Sequence, residues 1–471
     1  MKVFYNYSKH TVNTLITCVL LGASVSSCQI VNKYQSPETD TADLYRTDVN
    51  NGDTTTVATV PWTVYFTDTC LQQLIAEGLR ENFDMQTALL RIEEAKASLL
   101  VARGSYFPVA GLVGQVTHSW KNGKDGAASS GNDQFRLGVA VQWEVDLWGK
   151  LNRQERARYA QYLNSHEYKR LIQTTLVSTI AASYYTLMAL DEQLHISNST
   201  VALLDESHKS MDAMMKAGIL NLAAVEQSKA LKLSTEASVL ELEIEIHKLE
   251  NALSVVLGRK PGPVRRQSFK TWQAPETLPY GVPAQMLSLR PDVRSAELQF
   301  RAAFELRNAA QASLYPSLTL NSGTMFGYDA SSLSDFFKPE NLFANIIGGL
   351  TQPIFAGNQL RAQLNIAKAQ EQEALVNFQK TVLTAAGEVS DILFTYSNLQ
   401  KKNEVRDKQL QSLSNAVNAT QELLRAGEAT YLEVLTAQQN YLSAQLAAVN
   451  DNLAKAQTAI DLYRALGGGC Q

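Results

Sequence analysis

At 471 residues the chain is long enough for two or three ordinary domains, each with its own core. Hydrophobic residues make up 45% of it and charged residues 19%, with a formal charge of −4, a balance that excludes an intrinsically disordered chain and gives no basis for nucleic-acid binding. Four cysteines exclude a disulfide-rich scaffold.

The chain opens with Lys2 and Lys9, no acidic residue, and an apolar stretch at residues 15–25 that ends in Ser26, Ser27 and Cys28. This reads as a signal peptide of residues 1–27, since the stretch is too short to span a bilayer. Val25-Ser26-Ser27-Cys28 looks like a bacterial lipobox, so Cys28 is the expected lipid attachment site, acylated as the first residue after cleavage. Residues 28–70 then form a lipid-anchored linker. With Cys18 in the signal and Cys28 on lipid, only Cys70 and Cys470 remain, as a single bridge or as two thiols.

Beyond the linker the chain repeats itself. Asp84, Ala88, Ala95, Ala102, Ser105, Pro108, Leu112, Gly149 and Arg153 recur as Asp292, Ala296, Ala303, Ala310, Ser313, Pro316, Leu320, Gly357 and Arg361 in one register. After a one-residue slip, Ala217-Gly218 recurs as Ala426-Gly427 and Leu257-Gly258 as Leu466-Gly467. The expected organisation is a first repeat at 71–258, an equatorial linker at 259–289, a second repeat at 290–467 and a tail at 468–471.

Within the first repeat, over about 135–147, Phe135, Leu137, Val139, Val141, Trp143, Val145 and Leu147 alternate with Arg136, Gly138, Ala140, Gln142, Glu144 and Asp146. A period of two over this length fits a membrane β-strand with one face to lipid and one to water. Repeat logic adds partners at about 109–120, 318–328 and 342–355, and the polar stretch 121–133 suits an extracellular loop. No proline lies between Pro108 and Pro261 or after Pro353. Long helices are expected at about 150–215 and 358–425, the first able to rise about 100 Å. Return helices follow at 221–257 and 430–466, with Gly218 and Gly427 ending the long ones. Phe378, Val382, Ala385, Val389, Ile392, Tyr396 and Leu399 alternate spacings of three and four, as coiled coils do. Four strands cannot close a barrel and an open edge is not tolerated in lipid; three chains would give twelve strands. The fold class expected is a mixed membrane β-barrel plus long α-helical coiled-coil barrel, completed by a homotrimer.

Pro61-Trp62, Phe66-Thr67-Asp68, Leu71, Asn82-Phe83-Asp84, the run Leu289-Arg290-Pro291-Asp292-Val293-Arg294 with its flanks, Tyr315-Pro316 and Phe355 with Gly357 resemble the TolC family, and within it the NodT- and OprM-like outer-membrane lipoproteins. The resemblance covers nearly all of the mature chain. It implies the outer-membrane channel of a tripartite efflux system, docked onto a periplasmic adaptor protein and an inner-membrane pump of the resistance-nodulation-division type. It implies conduction without catalysis or cofactor, with the hairpin ends near Gly218 and Gly427 meeting the adaptor. In the family, carboxylates just past the hairpin turn help to close the tunnel; here those positions are Glu433 and Thr436. The family's basic and aromatic locking partners fall near Ala429 and Leu424, which cannot make those bonds, so the closing network must differ.

Other signals are weaker. His166-Glu167 begins like a zinc-protease helix, but Arg170 stands where the second ligand belongs. Met211, Met214 and Met215 near the first hairpin end suit packing, adaptor contact or, least of all, copper. Asp205 and Glu206 read as the wet face of a helix. The rival reading, a structural or adhesive coiled-coil lipoprotein without a lumen, leaves the alternation at 135–147 without purpose, and an enzyme would lack any catalytic constellation.

Overall fold

The computed structural model describes residues 33–38, 56, 59–121, 130–271 and 289–469. The signal peptide, Cys28, Cys470 and most of the expected equatorial linker lie outside the described residues; Cys70 is a half-buried free thiol. In chain order the elements are α1 Trp62–Tyr65, α2 Thr69–Glu81, α3 Phe83–Gly104, β1 Val109–Lys121, β2 Ser130–Val145, α4 Lys150–Lys216 and α5 Leu222–Val256. They continue with α6 Pro291–Ala312, β3 Ser317–Ala330, β4 Leu342–Ala344, β5 Gly348–Thr351, α7 Gln359–Ala426 and α8 Tyr431–Ala465. No described helix is long and apolar enough to cross a membrane. The chain divides into two compact units, one built on residues 95–162 and 298–375, the other on 38–94, 163–297 and 376–471.

The first unit holds an antiparallel sheet in the order β1-β2-β3, with β4 and β5 both paired to β3. Its register sorts side chains by chemistry. Leu112 faces Val139, Val116 faces Phe135, and Leu137 and Val139 face Tyr328 and Phe326, all on one side. On the other side the Arg136 guanidinium donates to Asp329 at 2.6 Å and Gln134 donates to the same carboxylate at 2.9 Å. Leu112 and Trp120 are 76% and 73% exposed in the single chain, as a lipid-facing surface requires.

Between the pairs Val139↔Phe326 and Val141↔Ser322, β2 advances by one intervening residue and β3 by three. This bulge adds two residues, so the apolar and polar faces stay in phase, and Trp143↔Leu320 and Val145↔Leu318 continue the apolar side. The β1–β2 hairpin extends further into the polar stretch than its alternation indicates, since β2 begins at Ser130. The strand expected at 342–355 is instead two short pieces. Asn345 N–H makes one bond, 2.7 Å, to Met325 C=O between them, and Pro353, which has no N–H, follows the end of β5.

In the second unit the helices pack around Tyr184, Tyr463, Leu71, Ile75, Leu187 and Val389, all fully buried. Phe378, Val382, Ala385 and Tyr396 turn into this core, as their spacing requires. Three tyrosine hydroxyls of this core are satisfied: Tyr184 donates to Asp68 at 2.6 Å, Tyr65 to Ala459 C=O and Tyr463 to Val60 C=O at 2.8 Å. Asp68 also accepts from Cys70 N–H at 2.7 Å, capping α2.

The two return helices end alike. After α5, Gly258 N–H donates to Val255 C=O and Arg259 N–H to Ser254 C=O; after α8, Gly467 and Gly468 do the same to Arg464 and Tyr463. Asn82 donates through Nδ2 to Val256 C=O at 2.8 Å, and at the same place in the other repeat Arg290 donates to Ala465 C=O at 2.6 Å. Arg290 is buried and held by Asp292 at 2.7 Å and Glu388 at 2.9 Å. Burial alone would lower its pKa, but these acids outweigh it and the guanidinium is held above its ordinary range. The Arg-Pro-Asp run thus starts α6 and closes the end of α8 together.

A Cβ on Gly258 would lie 2.3 Å from Glu81 C=O in addition to the strain of φ +71, whereas one on Gly218, φ +76, would meet nothing within 4 Å. Gly218→Ala is expected to cost about 1 kcal/mol, the left-handed penalty alone. Gly258→Ala should lower the thermal midpoint of the detergent-solubilised protein distinctly more; equal losses for the two would refute the role given to this close approach.

Candidate gate and docking ends of the hairpins

The long helices stop at the glycines that mark the two hairpin ends. Gly218 N–H donates to Met215 C=O and Ile219 N–H to Met214 C=O, each 2.9 Å; Gly427 and Glu428 repeat the pattern on Leu424 and Leu423 at 3.1 and 2.9 Å. Both are Schellman turns, which need the positive φ of 76° and 75° found at these glycines. The helices that leave the turns are capped differently. Asn221 accepts from Ala224 N–H at 3.0 Å, while Thr430 N–H donates to the Glu433 carboxylate at 2.8 Å.

Glu433 is therefore the glutamate of a capping box, an assignment its spacing from Thr430 allows and which fixes its side chain. Thr436, one turn on, donates to Leu432 C=O at 2.7 Å. Both remain exposed in the single chain and lie on one helix face, while Val434 and Leu435 beside them are buried. Met211 is buried against Val225 and Leu435, with Met215 and Tyr431 packed around, so this end of the first hairpin is joined to α8 by apolar contact. That accounts for Met211 as packing. Ile219 and Leu222, at 66% and 62% exposure, leave the first turn with an apolar surface.

Ion pairs clamp each hairpin further from its turn. Lys232 on α5 reaches Asp205 on α4 at 2.5 Å, and Lys209 joins them at 2.6 Å. In the second hairpin the buried Asp451 accepts from Arg406 at 2.9 Å and Lys402 at 2.6 Å. Near the other end of the first hairpin, Arg266 bridges Asp191 and Glu250, each at 2.5 Å. Asp205 is thus an anchor across the hairpin, not only a wet-face residue. Its signal was available: Asp205 and Lys232 stand nearly equidistant from Gly218, so a hairpin folded there must bring them together.

Glu167, in the segment that began like a metal motif, pairs with Arg170 at 3.1 Å and Arg294 at 3.4 Å. Among the described residues no group of three or more His, Cys, Asp or Glu side chains is placed to hold a metal ion. Cys28 lies outside the described residues.

The sequence model of the outer membrane efflux protein family matches residues 74–259 and 282–468. This chain belongs to that family. OpmQ of Pseudomonas aeruginosa, a pyoverdine export outer membrane protein, is 31% identical over 414 residues, 85% of each chain. "Probable outer membrane lipoprotein SilC" of Salmonella typhimurium is 29% identical over 409 residues, 87% of this chain and 88% of its own. A crystal structure of CusC, described in terms of transmembrane channel formation, superposes with a TM-score of 0.81 at 27% identity over 93% of this chain and 99% of that one. The outer membrane efflux protein fold, that of trimeric channels with a β-barrel and a helical tunnel, gives the sheet's open edges and the long hairpins one purpose. The chain is the outer-membrane channel component of an efflux system and not an enzyme, working with pump and adaptor proteins.

The hydrogen bonds from Lys209 and Lys232 hold the Asp205 carboxyl down at about 2. A depressed carboxyl stabilises the fold above the unfolded value of about 4 and loses that contribution as pH falls toward 2. Amide protection in the first hairpin, taken relative to the intrinsic exchange rate at each pH, should therefore fall between pH 4 and 2 in the wild type, and Asp205→Asn should show the lower protection already at pH 5. A pH-independent difference between the two proteins would exclude the clamp.

Proposed function

We propose that the tunnel closes at the second hairpin end, where Glu433 and Thr436 of three protomers form the gate, and that docking of the adaptor at the ends near Gly218 and Gly427 opens it. The observation that carries this reading is the bond from Thr430 N–H to Glu433, which holds an exposed carboxylate one turn past the hairpin in a set position. Three such groups about a narrow axis would focus a negative field on passing ions. Thr436 in place of a second carboxylate leaves the ring with one charge per chain.

Lipid attachment at Cys28 belongs to the same reading, supported by the lipobox-like Val25-Ser26-Ser27-Cys28 and by the lipoprotein name of the SilC relative. The pump is proposed to be of the resistance-nodulation-division type, on the Arg290-Pro291-Asp292 run and the lipobox. The organisation into a signal peptide, a linker and two repeats at 71–258 and 290–467 is proposed with it; the helices and strands at corresponding places of the two halves support it.

Glutamine keeps an oxygen that can accept from Thr430 N–H, so Glu433→Gln removes the charge and keeps the cap. In planar bilayers it should lower cation selectivity several-fold with unchanged thermal stability, while Glu433→Ala should also loosen the hairpin end. Unchanged selectivity in Glu433→Gln would exclude the charge from the gate.

A further inference from the structure

Residues 33–38 are the first described part of the chain, and one of them is firmly placed. The Tyr34 ring lies 6.0 Å from Phe300 and 5.6 Å from Phe304, the latter edge-on, with the Arg301 guanidinium 5.4 Å above its face. Phe300, Arg301 and Phe304 occupy one face of α6, and both phenylalanines are buried. Arg301 Nε is buried without a hydrogen-bond partner, so the aromatic face of Tyr34 is part of what compensates that cation. The neighbours Lys33 and Gln35 are exposed.

We propose that this pocket on α6 is a seat for the chain's own N-terminal tether, with Tyr34 as the docking residue. The proposal rests on lipid attachment at Cys28. Cys28 stands six residues before Tyr34, a span of at most about 20 Å. From Phe304 to the end of α6 at Ala312 the helix rises about 12 Å, after which a four-residue turn leads into β3 at Ser317. A tether seated at Tyr34 reaches the start of the sheet and little further, so the acyl chains enter the bilayer beside the strands of the same protomer. If the first hold on the chain were instead at Val60, the spacer would be 32 residues and the local concentration of anchor at the sheet far lower. The seat therefore matches the length of the tether to the position of the strands that must insert.

The test uses the full lipidated protein in proteoliposomes, with trypsin cleavage after Lys33 as the readout. Tyr34→Ala should be cut about tenfold faster than wild type, and Tyr34→Phe, which keeps the ring, at the wild-type rate. Equal rates for Tyr34→Ala and wild type would overturn the seat. The mass of the released peptide separates the two readings: a peptide without acyl chains removes lipidation at Cys28, while an acylated peptide released at equal rates removes only the seat. For the role in insertion, ten Gly-Ser residues placed between Cys28 and Lys33 keep the seat but lengthen the tether. Trimer yield in outer-membrane fractions should fall several-fold in this variant and in Tyr34→Ala; unchanged yield in both would overturn that role.

Discussion

In hydrocarbon an unpaired backbone N–H or C=O has no water to turn to, and this constraint organises the protein. The sheet of one chain has β1 at one edge and the short pieces β4 and β5 at the other, so neither edge is satisfied within the chain. Trimerisation is the solution that the channel fold supplies. The two edges are unlike: β1 offers 13 residues, β4 and β5 only three and four, with Pro353 soon after. Neighbouring chains therefore meet along a long regular strand on one side and an interrupted one on the other.

Away from lipid the demand for satisfied backbone groups is met at the helix ends. Four helices stop in the same Schellman geometry, and where two of them end against the start of another helix a side chain completes the job. Asn82 in one repeat and Arg290 in the other donate to carbonyls at corresponding places, although one is neutral and the other charged. The charged version has Asp292 and Glu388 around it, while the neutral amide of Asn82 needs no counter-charge.

Much of this was legible in the sequence because its signals are local. The alternation in β2, the proline-free windows and the paired glycines each follow from the geometry of one element. What stayed hidden depends on partners distant in sequence. The split between β4 and β5 arises at an edge where pairing is weak, and the bulge in β3 is set by its neighbour. The cross-hairpin pairs of Asp205 and Asp451 emerge only once the turns are fixed. At the candidate gate, position was legible from Gly427 and the resemblance. The bond that holds Glu433 followed from its spacing to Thr430, a capping pattern visible in the chain but overshadowed by the expectation of a pore charge.

The two-residue bulge in β3 carries a consequence for how such a sheet can change over evolutionary time. A single insertion would exchange its inward and outward sides beyond that point, placing Asp329 against acyl chains and Tyr328 in the lumen. A double insertion leaves every side chain on its own side. Length variation in these strands is thus quantised: relatives can lengthen or shorten them in pairs of residues, while odd steps are confined to the connections, where no face has to be kept.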